Sequence, residues 1–135
     1  MLGTAKFITL EAAKKMAAAG EAEARKNGWN VAIAIVDVAG GLILFHKIDE
    51  TQAGSIAVAQ GKARAAALFK RPSKALEEAI AGGKQAFLAV DGIVPMQGGL
   101  PVVADGKVIG AVGVSGVTSA QDEQVAQAAL GALSV

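Results

Sequence analysis

A chain of 135 residues with 53% hydrophobic residues is long enough for one hydrophobic core but not for two, so we expect a single domain over residues 1–135. The net charge is +1 and only 4% of the residues are aromatic, which argues against a nucleic-acid-binding protein and against binding to acidic membranes. Cysteine is absent, which excludes disulfides, thiolate catalysis and cysteine metal sites.

The low charge content also bears on assembly and location. Only 19% of the residues are charged, and a surface this apolar predicts a homo-oligomer, a dimer or larger, that buries part of it. Residues Met1–Phe7 lack the apolar region of a signal peptide, and Lys and Glu interrupt the alanine-rich stretches. We therefore expect a cytoplasmic protein without a membrane segment.

The first half of the chain predicts two helices, a hairpin and a short third helix. In chain order these are a helix that Thr9 or a neighbour starts and that runs to about Asn27, strands over Val31–Asp37 and Leu42–Ile48, a helix over Gln52–Lys70, and a helix to Ala81 that Ser73 caps. In the first strand Val31, Ile33 and Ile35 alternate with alanines. The second helix consists almost wholly of small residues, which lets a neighbouring element pack against it at close range.

The second half predicts three strands and a final helix. In chain order these are a third strand over Ala86–Val90, a loop over Asp91–Gly99, strands over Leu100–Ala104 and Lys107–Val114, and a helix from Thr118 or Ser119 to about Leu133. Hairpins dominate and no crossover is forced, so we expect an α+β domain with a mainly antiparallel sheet covered by helices.

The last hairpin is the most distinctive segment. Asp105-Gly106 supplies the two positive-φ positions of a tight type I′ turn. The strand after the turn alternates bulky and small residues, so one face can receive a helix, a ligand or another backbone closely. The bulky set is Val108, Val112 and Val114, and the small set is Ala111, Gly113 and Ser115.

Motifs along the whole chain resemble the GlcG/HbpS-like family, also called the haem-degrading domain family, which includes the C-terminal domain of PduO-type proteins. The motifs are V-D-V-A-G-G-L-I-L-F at Val36–Phe45 followed by Asp49, K-A-R-A-A at Lys62–Ala66, G-G-L-P-V at Gly98–Val102, D-G-K-V-I-G-A-V-G-V-S-G at Asp105–Gly116, and Asp122 with Ala126. The resemblance implies a profilin-like fold with a five-stranded antiparallel sheet, dimers or larger rings, and binding of haem or a related tetrapyrrole in some members.

Two side chains are candidate ligands of a haem iron. His46 is the only histidine, so any imidazole chemistry depends on it, either as an axial ligand or as a general base. An edge-strand histidine facing solvent would look the same in sequence. Met96, in the Asp91–Gly99 loop, is the other soft ligand, although a loop methionine usually fills an apolar gap.

The candidate pocket combines glycines with the start of the final helix. Free backbone N–H groups at a helix start attract carboxylate or phosphate, and glycine permits close approach, so a haem propionate or a small organic acid suits this place. Turn and packing geometry alone is the alternative. The residues are Gly98, Gly99, Pro101, Ser115, Gly116 and Thr118.

Charged residues supply further candidates. Lys62 and Arg64 stand two positions apart on a helix and point about 200° from each other, so at most one enters a given pocket, and a salt bridge or a solvated role is the alternative for each. Asp37 and Asp49 close the ends of the hairpin strands and are candidate general acids or bases, although turn-capping aspartates look the same. A dedicated zinc site is not predicted, and a triad of Ser115, His46 and Asp49 lacks a nucleophile elbow.

Three functions remain open from the sequence. The leading hypothesis is a small-molecule-binding protein for an anionic, largely apolar ligand, by resemblance haem or a related tetrapyrrole, with haem degradation included. The second is an isomerase, tautomerase or hydratase for a small organic acid in a catabolic pathway, with an Asp or His46 moving the proton. The third is an accessory subunit of an assembly.

Overall fold

The fold is built on one antiparallel sheet that has helices on both faces. The structure is a computed structural model in which residues 1–133 are described. Its elements are α1 (Leu10–Lys26), β1 (Ala32–Asp37), β2 (Leu42–Lys47), α2 (Ser55–Phe69), α3 (Ser73–Ala81), a 3₁₀ helix (Gln85–Ala89), β3 (Gly99–Ala104), β4 (Lys107–Ser115) and α4 (Ser119–Leu130).

The sheet has the strand order β2-β1-β4-β3, and each neighbouring pair is antiparallel. The predicted α+β class is therefore confirmed, but residues 1–133 contain four strands and not five. The prediction of a strand over Ala86–Val90 was wrong. This segment closes on itself in a 3₁₀ helix, in which Phe87 packs edge-on against Phe69 with ring centroids 5.6 Å apart.

Strand β1 lies in the interior and is buried on both faces. The predicted alternation is present: Ile33 and Ile35 belong to the core under α1 and α4, whereas Ala32 and Ala34 belong to the core under α2. The alanine face allows the close helix packing that the small residues of α2 predict. No helix among residues 1–133 combines the length and the apolar character needed to cross a membrane.

The β3–β4 hairpin has the predicted tight turn, since both Asp105 (φ 53°) and Gly106 (φ 74°) have positive φ. A helix occupies the small face of β4. A Cβ added to Gly113 would lie 2.2 Å from the carbonyl oxygen of Ala59 in α2. The predicted alternation is interrupted near the turn, where a register shift adds Ile109, and Ile109 packs against the core that contains Val112 and Val114.

Local capping explains where the outer helices start. Thr9 caps α1 by accepting a hydrogen bond from the N–H of Ala12 (3.0 Å). Thr118 caps α4 in a reciprocal pair of hydrogen bonds with Gln121. The predicted cap of α3 differs, because Pro72 occupies the N-cap position and Ser73 is the first helical residue.

Candidate functional site

A buried ion pair joins α2, β4 and α4. Lys62, 1% exposed, donates from Nζ to Oδ2 of Asp122 (3.0 Å) and to the carbonyl oxygen of Val114 (3.0 Å). Oδ1 of Asp122 accepts from the N–H of Val117 (3.1 Å). Burial raises the pKa of Asp122 above its ordinary value, and the charge of Lys62 offsets only part of this effect.

The Asp122 side of this pair was not predicted, because Asp122 at the first turn of a helix is explained by capping alone. The signal available in the sequence was Lys62 itself. It is a long charged side chain three residues from Ala59 and four from Ala66, on the face of α2 that packs against the sheet. A lysine in such a position needs a buried partner.

The glycines of the predicted pocket lie against α2. A Cβ added to Gly98 would be 2.8 Å from Nζ of Lys62, and a Cβ added to Gly99 would be 2.2 Å from the carbonyl oxygen of Lys62. The N–H of Gly99 donates to Oγ of Ser73 (2.8 Å), whose hydroxyl also donates to the carbonyl oxygen of Met96. These glycines therefore allow the start of β3 to approach α2.

The start of α4 already uses several of its N–H groups. Thr118 donates to Oε1 of Gln121 (3.3 Å), and its hydroxyl accepts from the N–H of Gln121 (3.3 Å). Ser115 pairs with the hydroxyl of Ser55 (3.1 Å), and Gly116 lies against the backbone of Asn30. A carboxylate arriving at this helix start would compete with partners inside the chain.

The remaining predicted residues lie around the loop that precedes β3. Arg64 donates from Nε to the carbonyl oxygen of Gly92, so Lys62 and Arg64 diverge as predicted. The side chain of Met96 is partly exposed. Pro101 lies in the edge strand β3 opposite Ala111, a position where proline costs no sheet hydrogen bond.

A second polar cluster lies between α1 and the edge strand β2. Nδ1 of His46 is buried and lies 3.4 Å from Oε1 of Glu21, a contact that falls short of hydrogen-bond geometry. Oε2 of Glu21 accepts from Nε of Arg25 (3.1 Å). The His46 side chain is 37% exposed, and its Nε2 makes no hydrogen bond within residues 1–133.

His46 and the glycines of the predicted pocket lie at opposite edges of the sheet. His46 pairs with Ile33 in β1, Ile33 pairs with Val114 in β4, and Val114 donates to the carbonyl oxygen of Gly98. Three strand spacings separate His46 from Gly98, roughly 14 Å at about 4.8 Å per strand. Within one chain the structure therefore does not bring His46 to the predicted glycine pocket.

The two aspartates beside the hairpin strands occupy turns. Oδ1 of Asp37 accepts from the N–H groups of Ala39 (2.9 Å) and Gly41 (2.8 Å), as a turn-capping aspartate does. Asp49 lies exposed in the turn after β2. The described residues do not assemble a Ser115–His46–Asp49 triad, because the Ser115 hydroxyl bonds to Ser55 and Nδ1 of His46 faces Glu21.

Comparison with known proteins identifies the family. The model of the family described as "Haem degrading protein HbpS-like" matches residues 8–131. The chain belongs to this family. It is 43% identical to Protein GlcG of Escherichia coli (strain K12) over 109 residues, which cover 81% of each chain.

Solved structures share the fold. A double mutant of HbpS from Streptomyces reticuli is similar with a TM-score of 0.93 and 31% identity, over 99% of this chain and 92% of that one. PduOC, solved in complex with haem, is similar with a TM-score of 0.88 over 96% of each chain. PduOC is 23% identical, so this likeness concerns the fold alone.

Proposed function

We propose that this protein binds haem or a related tetrapyrrole, an anionic and largely apolar small molecule, and that His46 is the iron ligand. Membership of a family described as haem-degrading supports the class of ligand, and PduOC, which has the same fold, was solved with haem. Neutral imidazole is a common axial ligand of haem iron, and His46 is the only histidine in the chain.

One observation carries the proposal: the imidazole of His46 faces a carboxylate with one nitrogen and has no partner for the other among the described residues. Histidines that ligate metals commonly have their second ring nitrogen held by a carboxylate or a carbonyl. The buried, unpartnered Nδ1 beside Glu21 fits this arrangement. The residues present therefore fit a haem iron ligated through Nε2.

The surroundings suit the rest of the ligand. Leu44 pairs with Ile35 and therefore lies on the same face of β2 as His46, where its partly exposed side chain offers apolar surface for a porphyrin ring. The Arg25 side chain, 61% exposed, places a positive charge in the same cluster, where a propionate requires one. When bound, haem would supply a redox-active iron, while the chain would supply the ligand, the apolar contact and the cation.

The enzyme hypothesis for a small organic acid gains less from the structure. It relied on open N–H groups at the start of α4 to hold the carboxylate of the substrate. The N–H groups of Val117, Thr118 and Gln121 instead bond to acceptors within the chain.

The test is a titration of the purified protein with haemin, followed by the Soret absorbance. Wild type is compared with His46→Ala and with Met96→Leu, which removes the other soft ligand. We expect a saturable Soret shift that is lost in His46→Ala and kept in Met96→Leu, with far-UV circular dichroism showing that both variants are folded. A shift that survives in His46→Ala would exclude His46 as the ligand, and the lack of saturation in wild type would refute haem binding.

A further inference from the structure

The packing of helix α1 on strand β2 places the side chain of His46 beside two side chains of α1. Glu21 and Arg25 are one turn apart on α1, so they share a face of the helix. His46 lies on β2 opposite Ile33, and Ile33 belongs to the core under α1. The packing of α1 on the edge strand therefore places Glu21 between a guanidinium and an imidazole.

The contact between Glu21 and His46 has a preferred arrangement of protons. A carboxylate only accepts hydrogen bonds, whereas each nitrogen of a neutral imidazole either donates or accepts. If Nδ1 carried a lone pair, that lone pair would face the oxygen of Glu21 at 3.4 Å, with no water to separate them, because Nδ1 is buried. If Nδ1 carries the proton, a small side-chain shift brings the pair into the usual hydrogen-bond range.

Arg25 orients the carboxylate for this contact. Its Nε binds Oε2 of Glu21 at 3.1 Å, and the guanidinium is always charged. Since one carboxylate oxygen is held by Arg25, the other, Oε1, is the one directed to His46. The three side chains form an ordered chain of contacts from Arg25 through Glu21 to the imidazole.

We propose that Glu21 is a positioning residue for His46: it holds the proton on Nδ1, so that Nε2 keeps its lone pair for a ligand on the open side of β2. The tautomer is a property of the protein alone. That the ligand is a haem iron rests on the proposed function.

The tautomer is measured without haem. A long-range ¹H–¹⁵N correlation spectrum of the labelled protein, recorded at alkaline pH where free imidazole is neutral, reports which ring nitrogen carries the proton. The single histidine leaves no assignment ambiguity. We expect a protonated Nδ1 and an unprotonated Nε2 in wild type, and a shift toward the other tautomer in Glu21→Gln.

The matched control is Glu23→Gln, the same change two residues along α1. Glu23 contacts Lys26 and Gln124 and not His46, so its removal leaves the tautomer unchanged. A wild type protonated on Nε2, or a Glu21→Gln spectrum identical to that of wild type, would overturn the proposal. If Glu21 had a purely structural role, the Glu21→Gln substitution would leave the proton on the same ring nitrogen as in wild type.

A haemin titration of the same variants links the tautomer to binding. Loss of a residue that orients a metal ligand typically costs about 10-fold or more in affinity, so we expect at least a 10-fold higher Kd for haemin in Glu21→Gln than in Glu23→Gln. Equal affinities in the two variants would refute the link to iron. If His46→Ala still binds haemin like wild type, the proposed function fails, while the tautomer spectra continue to test the role of Glu21 separately.

Discussion

At the scale of single residues, two ion pairs in this protein differ in their environment. Lys62 and Asp122 lie 3.0 Å apart with side chains 2% and 3% exposed. Lys6 and Asp105 lie 3.3 Å apart with side chains 62% and 71% exposed. Removing one partner of a buried pair leaves an uncompensated charge in the interior, whereas water solvates the remaining partner of an exposed pair.

We therefore expect Lys62→Met to lower the free energy of unfolding by about 3–5 kcal/mol, because Asp122 stays buried without its cation. The same substitution at Lys6 should cost about 0–1 kcal/mol. Urea denaturation of both variants beside wild type measures the difference. Equal unfolding midpoints for the two variants would contradict the buried pairing.

At the candidate site, the sequence predicted some of the residues but not the partners that they contact. His46 was recognised as a candidate because it is the only histidine, and Lys62 because it belongs to the K-A-R-A-A motif that resembles the family. Their partners were missed, since Glu21 is 25 positions from His46 and Asp122 is 60 positions from Lys62. Such contacts exist only after α1 packs on β2 and α4 packs beside β4.

At the scale of elements, α2 and β4 approach closely because neither carries bulk at the contact. A Cβ added to Gly113 would lie 2.2 Å from the carbonyl oxygen of Ala59 and 2.5 Å from the nitrogen of Ala63. Both atoms belong to helix backbone, which cannot rotate away as a side chain does. The whole helix would have to move away from the sheet.

Gly113→Ala should therefore destabilise the protein by about 1–3 kcal/mol, the usual range for overpacking, or more if α2 cannot shift. Gly54→Ala is the matched control. Gly54 has a φ of −59° and nothing within 4 Å of the added Cβ, so alanine there should be neutral or stabilise by about 0.4–1 kcal/mol. Thermal unfolding followed by circular dichroism compares the two, and similar Tm values would argue against close packing at Gly113.

Elements with local signals were predicted more accurately than those without. Thr9 and Thr118 cap α1 and α4, because a cap depends only on residues within one turn. Ala86–Val90 was predicted as a strand because a short apolar run does not distinguish a strand from a helical turn. The contact of Phe87 with Phe69, 18 positions earlier, accompanies the helical form.

At the scale of the whole molecule, apolar side chains remain exposed on a chain with few charges. Val38 is 56% exposed and Leu42 is 50% exposed, near the open edge of β2, and Leu88 is 61% exposed beside α3. Exposed apolar surface of this kind is typical of subunit interfaces. The homo-oligomer expected from the composition stays a prediction.

Sedimentation equilibrium at micromolar concentration tests this prediction. We expect a mass of at least two chains, because association removes apolar surface from water. The same run at higher salt should show no dissociation, since an apolar interface is not screened by ions. A single-chain mass across the concentration range would contradict the prediction, and dissociation by salt would indicate a charged interface instead.

The sequence by itself determined the α+β class, the tight turn at Asp105-Gly106 and, to within about one residue, the helix starts at Thr9 and Thr118. The turn and the helix starts depend on hydrogen bonds or backbone angles among residues within about one turn of one another, and the class follows from the predominance of hairpins along the chain. The tertiary structure alone decided the four-strand order, the burial of Lys62 against Asp122 and the placement of Glu21 beside His46. These arise from packing between elements that are far apart along the chain, and periodicity within one element carries no information about the partner across the core.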